Sequence, residues 1–155
     1  YLINHFMDQF KGTVYRQTMF AEFELAMGKM AESGQALTAD ALCQKYHALN
    51  KLYFGPDMVS DDQIALEWAR IPHFFYNYYV FQYATGFSAA VAIANRILKE
   101  GAPAVADYKK FLSGGCSTDP ISLLKIAGVD MSSPEPVNSA LALFGELVDE
   151  MEQLV

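Results

Sequence analysis

The chain has 155 residues, of which 52% are hydrophobic, 19% charged and 14% aromatic, and its formal net charge is −7. That length fits one domain able to bury a core. The acidic balance and the lack of any basic run speak against a nucleic-acid partner, whose binding depends on clustered Lys and Arg. Two distant cysteines, Cys43 and Cys116, do not make a disulfide framework and point to a reducing compartment. The first residue is Tyr1 rather than methionine and no signal peptide is recognisable, so a fragment of a longer polypeptide is expected.

Residues 1–31 read as one long amphipathic helix. Leu2, Phe6, Phe10 and Val14 recur at helical steps and, after a half-turn shift, Phe20, Phe23, Met27 and Met30 continue the pattern, with Gly12 a weak point. Gly34 suits the left-handed cap position that closes it. Thr38 is a good N-cap for a second helix over 39–53, with Leu42, Tyr46, Leu49 and Tyr53 inward. Gly55-Pro56-Asp57 stops that helix. A short third helix is expected from Asp61 and Asp62, whose carboxylates suit its positive dipole end, and it carries Ile64, Ala65 and Trp68 to the core.

The stretch 70–86 holds seven aromatic rings and one histidine, and no charged residue falls in 71–95. Ile71, before a proline, is biased toward an N-cap role, and Pro72 suits the first helical position. The spacing predicts a fourth helix over 72–99, roughly 40 Å long. In such a helix His73, Tyr76, Tyr79, Tyr83 and Phe87 share one sector, and Phe74, Tyr78, Phe81 and Ser88 the next. Being apolar nearly all round, it is expected at the centre of a core. Gly86, Ser88, Ala89, Ala90 and Ala92 form a slim waist where another helix can approach. Gly101 ends the helix. A fifth helix over 103–112, a Gly114-Gly115 turn, a short helix opened by Asp119 and Pro120 and closed by Gly128, and a last amphipathic helix over 135–154 complete an all-α chain without strands or repeats.

The uncharged stretch is long enough to span a bilayer. Asn77, Gln82, Thr85, Ser88 and four mid-span tyrosines speak against that, because aromatic belts belong at the interfaces. No membrane partner is expected.

Each polar constellation has a bland reading beside a functional one. His73, near a positive dipole end, is disfavoured as a cation and is either a rim histidine or a neutral donor and acceptor. Tyr76, Tyr79 and Tyr83 are either core filling or a row of neutral donors facing a developing oxyanion or a peptide carbonyl, since Phe would fill a core without a hydroxyl to satisfy. His5, His47 and His73 have no second ligand at helical spacing and His-Glu-x-x-His does not occur, so no metal site is expected in this chain. Glu22 and Glu24, like Asp149, Glu150 and Glu152, read as solvated faces. Ser88 and Ser117 lack a nearby base.

Several long blocks carry a family resemblance. F-K-G-T-V-Y-R-Q-T-M-F-A-E-F-E from Phe10, L-T-A-D-A-L from Leu37, Y-F-G-P-D from Tyr53, the stretch 68–90 and A-G-V-D-M-S-S-P-E-P from Ala127 resemble the C-terminal part of the oligoendopeptidase F family, zinc oligopeptidases related to thimet oligopeptidase. The resemblance runs nearly end to end. It implies a cytoplasmic, mostly helical enzyme that cuts short peptides in a deep channel. It also implies a zinc site, built from a His-Glu-x-x-His helix and a further glutamate, upstream of the matched part. Carried over by position, His73 corresponds to a substrate-contacting histidine, Tyr79 and Tyr83 best match the tyrosines that donate to the oxyanion, and Tyr76 is the fallback donor and otherwise a substrate-binding position. Where the thimet branch has another tyrosine this chain has Gly86, so only part of the hydroxyl set transfers.

The resulting expectation is a single all-α segment, 1–155, with one long buried central helix, forming the C-terminal portion of a metallopeptidase catalytic domain. It would supply a cleft wall and oxyanion donors, bind no zinc itself and be inactive alone. Its partners would be short peptides, the remainder of the catalytic domain and, through exposed apolar surface, further copies of itself. The alternative is a non-catalytic helical binding module with a tyrosine-lined pocket.

Overall fold

The computed structural model describes residues 1–154. Every regular element is helical, and no strand occurs among the described residues. α1 (Leu2–Gln9) passes through a π-helical turn (Phe10–Tyr15) into α2 (Arg16–Glu32). The helix expected over 1–31 is thus an uninterrupted helical run with a widened turn around Gly12. A π turn holds one extra residue and rotates the apolar stripe, which accounts for the half-turn shift between Val14 and Phe20. Gln17 Nε2 donates to the Gly12 carbonyl at 3.4 Å beside that turn.

Gly34, at φ +79°, takes the left-handed position that closes α2. α3 (Ala39–Phe54) starts on Thr38, whose Oγ1 accepts the Ala41 N–H at 3.2 Å. The third helix, Asp62–Arg70, is 3₁₀ rather than α, and Asp61 Oδ1 caps it by accepting from the N–H groups of Gln63 and Ile64 at 2.8 and 2.9 Å. With three residues per turn, positions i and i+3 eclipse, which sets Glu67 beside Arg70. The later helices are α4 (Phe81–Glu100), α5 (Ala102–Ser113), α6 (Pro120–Ile126) and α7 (Glu135–Glu152). Asp119 caps α6 through the Ser122 N–H at 2.9 Å.

The chain forms two compact units, Lys11–Ala84 and Tyr1–Phe10 with the chain from Thr85 onward, and the division falls inside α4. In Lys11–Ala84 the core is Met19, Phe20, Phe23, Leu42, Tyr46, Leu49, Ile71 and Val80, with Trp68 and Phe74 packed against it. Burying each large apolar side chain contributes about 1.5–3 kcal/mol. A polar network borders this core. Glu67, 6% exposed, accepts from Arg16 Nη2 at 2.6 Å and from Arg70 on one oxygen, and from the Tyr46 hydroxyl at 2.6 Å on the other. Burial alone would raise the Glu67 pKa, but the Arg16 and Tyr46 hydrogen bonds outweigh it and hold the carboxyl below its ordinary range. Burial and the same hydrogen bond push the Tyr46 phenol far up. The Trp68 indole N–H donates to Cys43 Sγ at 3.4 Å.

In the other unit Ala89, Ile93, Ala127 and Val129 form a core cluster with Ile97, Tyr108 and Phe111. Of the small residues expected to form a waist, Ser88 and Ala89 are buried and Ala92 packs on this cluster, whereas Gly86 and Ala90 are exposed and no neighbour closes on Gly86. Phe10 packs edge-on against Phe87 at 4.9 Å and lies 5.4 Å from Phe144, which joins α1 to α7. Arg96 donates to the Ala127 carbonyl at 2.8 Å and pairs with Asp107 at 2.9 Å and Glu100 at 3.0 Å.

The single buried helix expected over 72–99 does not form. A one-turn 3₁₀ segment, Pro72–Phe75, is followed by Asn77 and Tyr78 in the left-handed region at φ 54° and 58°, and α4 begins only at Phe81. The reason lies in the anchors. Phe74 packs on Phe20 and Phe23, and Val80 is fully buried in the same core. Six helical residues would set these two side chains about 120° apart around the axis, so one straight helix would not aim both at the same core. The break does.

Candidate functional site

His73, Tyr76, Tyr79 and Tyr83 come together as the sequence predicts, by a route other than a continuous helix. Pro72 opens the 3₁₀ turn that carries His73, and the Tyr76 N–H closes it on the His73 carbonyl at 3.0 Å. Asn77 and Tyr78 then reverse the backbone, and the first turn of α4 brings Tyr83 back over the histidine. The His73 and Tyr79 rings are stacked, with centroids 5.7 Å apart and 7° between their planes. Tyr83 stands edge-on to His73 at 5.5 Å, and its hydroxyl lies 3.0 Å from His73 Nε2. Tyr76 contacts His73 and Tyr79 edge-on at 6.1 and 6.3 Å. Phe87, expected in the same sector, packs instead against Phe6 and Phe10.

These phenols are not sealed in the core. Tyr83 is 38% exposed, Tyr79 41% and Tyr76 62%. A hydrogen bond to Tyr79, assisted by partial burial, raises the Tyr83 pKa above the ordinary tyrosine value. Tyr83 is therefore a neutral hydroxyl at neutral pH. With the proton on Nε2, His73 donates to the phenolic oxygen, and the Tyr83 O–H is then shared between Tyr79 and any acceptor that approaches the exposed face.

Two acidic residues depart from their sequence reading. Glu24 is not on a solvated face: it is 6% exposed, and its Oε1 accepts the Tyr78 N–H at 2.7 Å. Glu22 accepts the Tyr53 hydroxyl at 2.9 Å. The signal for Glu24 was present, because it lies four residues after Phe20 and three before Met27, on the apolar stripe of α2.

The described residues do not fit a zinc ion. Among the described residues no group of three or more His, Cys, Asp or Glu side chains could hold a metal, and His-Glu-x-x-His is absent from the sequence. No helix among them is long and apolar enough to cross a membrane.

Comparison with known proteins gives this all-α chain a family. The sequence profile of Peptidase family M3, a family of zinc metallopeptidases, matches residues 1–143, and the chain belongs to that family. It is 57% identical over its whole length to the oligopeptidase PepF of Bacillus subtilis and 46% identical over 154 residues to the group B oligopeptidase PepB of Streptococcus agalactiae. The crystal structure of oligoendopeptidase-F from Enterococcus faecium superposes with a TM-score of 0.96 at 47% identity, over 99% of this chain and 30% of that one. The chain spans only 23% of the length of PepF and 26% of that of PepB.

Proposed function

We propose that this chain is the C-terminal portion of the catalytic domain of a zinc-dependent oligoendopeptidase that hydrolyses short peptides, and that it forms part of the substrate-cleft wall. In this reading the metal ligands lie outside the chain, in the remainder of a cytoplasmic parent enzyme. The two free cysteines fit a reducing compartment. The exposed rings of Phe75 and Tyr76 fit contact with substrate or with that remainder.

The observation that carries the proposal is the 3.0 Å pairing of His73 with Tyr83, stacked against Tyr79 on an exposed face of a family M3 chain. Tyr83 donates its hydroxyl to the scissile carbonyl oxygen as negative charge builds there, and its raised pKa keeps the proton in place. His73 orients that hydroxyl, Tyr79 holds the imidazole plane and offers a second phenol, and Tyr76 contacts the peptide. A donor aimed at a developing oxyanion lowers kcat about 100–1,000-fold when removed. Tyr83→Phe in the complete enzyme, assayed on an internally quenched peptide, is expected to lose kcat on that scale while KM changes only a few-fold. Unchanged kcat would remove Tyr83 from the reaction and with it the reason for this reading.

A further inference from the structure

We infer that Glu24 is a positioning residue: its buried carboxylate, with the gap left by Gly28 one turn along α2, clamps the Asn77–Tyr78 turn and so fixes Tyr79 and Tyr83 against His73. The inference rests on the proposed role of that cluster.

Tyrosine rarely adopts a positive φ, because Cβ then crowds the following carbonyl. Two successive non-glycine residues in that region, Asn77 and Tyr78, persist only if their surroundings over-determine them. Two holds are visible. On the backbone, Glu24 Oε1 accepts the Tyr78 N–H at 2.7 Å, and a charged acceptor for one amide is a strong hydrogen bond. On the side chain, the Tyr78 phenol occupies the space that a Cβ at Gly28 would need. Both holds come from α2, whose Phe20 and Phe23 also anchor Phe74.

The clamped residue sits between the two halves of the site. His73 and Tyr76 precede it, and Tyr79 and Tyr83 follow. Releasing Tyr78 lets the backbone return to ordinary angles and displaces the phenols from the imidazole. Glu24 itself donates no proton and need not touch substrate.

The test uses the complete enzyme carrying Glu24→Ala, Glu24→Gln or Gly28→Ala, with Tyr83→Phe as reference. In Glu24→Ala, hydrogen exchange of the peptide covering 76–80 is expected to accelerate about tenfold or more as the amide loses its acceptor. kcat is expected to fall about 10–100-fold, the scale of an ångström-level misplacement of a reacting group. KM should stay within about threefold. Glu24→Gln keeps an acceptor oxygen and is expected to restore most of kcat. Gly28→Ala pushes on the Tyr78 ring with Glu24 intact, should accelerate the same exchange and lower kcat, and carries the test if Glu24→Ala does not fold. Unchanged exchange at 76–80 in Glu24→Ala or Gly28→Ala would overturn the clamp. Faster exchange with undiminished kcat, beside a crippled Tyr83→Phe, would overturn the positioning role alone. Undiminished kcat in Tyr83→Phe would instead strike the proposed function, whatever the exchange data show.

Discussion

Replacing Glu67 with alanine removes a carboxylate that takes hydrogen bonds from Tyr46, Arg16 and Arg70 at once. The two arginines, with side chains 30% and 72% exposed, can turn to water, so their share of the cost is small. Tyr46 cannot, because it is fully buried. A buried donor left without an acceptor costs about 1–3 kcal/mol, and breaking a buried charged pair adds to it, giving about 3 kcal/mol in total. Tyr46→Phe alone loses one hydrogen bond to a charged acceptor, about 2 kcal/mol. In the Glu67→Ala background the same Tyr46→Phe change removes an orphaned hydroxyl, so it should be neutral or regain about 1 kcal/mol. The sign of one substitution thus depends on the other. Urea unfolding of the four proteins at pH 7, followed by circular dichroism, gives the coupling energy, expected at about 2–3 kcal/mol. The depressed pKa of Glu67 means its contribution is complete above the unfolded value, about 4.3, and is lost as pH falls through the lower folded value. Equal Tyr46→Phe costs in both backgrounds, within about 0.5 kcal/mol, would refute the network.

Burial and the hydrogen bond to Glu22 push the Tyr53 phenol up to about 12. A raised folded pKa stabilises fully below the unfolded value, about 10, and that stability drains away as pH rises from there toward about 12. Wild type should lose more stability than Tyr53→Phe across that window in urea titrations, and parallel curves would contradict the account. Gly128 has φ +79°, and a Cβ there would run into the Arg96 guanidinium that holds the Ala127 carbonyl. Gly128→Ala is expected to cost about 1–2 kcal/mol through the left-handed backbone alone, read as a lower Tm; an unchanged Tm would show that the loop relaxes freely.

What the sequence made legible was local. Thr38 and Asp119 act as caps because a side-chain oxygen beside a helix start has nearby amides to satisfy, whatever the tertiary fold. Leu42, Tyr46 and Leu49 went inward because a 3.6-residue period fixes a face. The residues of the candidate site, His73, Tyr76, Tyr79 and Tyr83, were legible as a group, and the family resemblance was legible nearly end to end. The path of the chain between them was not. Helical spacing from 72 to 99 is satisfied on paper, and nothing local to Asn77-Tyr78 announces a left-handed turn at a tyrosine. The turn is imposed from a distance, by the competing anchors Phe74 and Val80 and by a carboxylate on α2. The π turn at Phe10–Tyr15 left a trace, the slipped stripe after Val14, which periodicity registered without revealing its geometry. Glu24 and Glu22 were misread because charge was weighed above position, although both lie within reach of tyrosines that need them.

Trp68 is the only indole in the sequence, and its N–H rests on the Cys43 sulfur at 3.4 Å. A thiol so close quenches emission, so separating the two should brighten and red-shift the fluorescence. Because Trp68 belongs to Lys11–Ala84, that signal reports the melting of this unit alone, whereas far-ultraviolet ellipticity sums over every helix. The molecule therefore carries a built-in optical probe that can time the loosening of one half separately from the other, without a label.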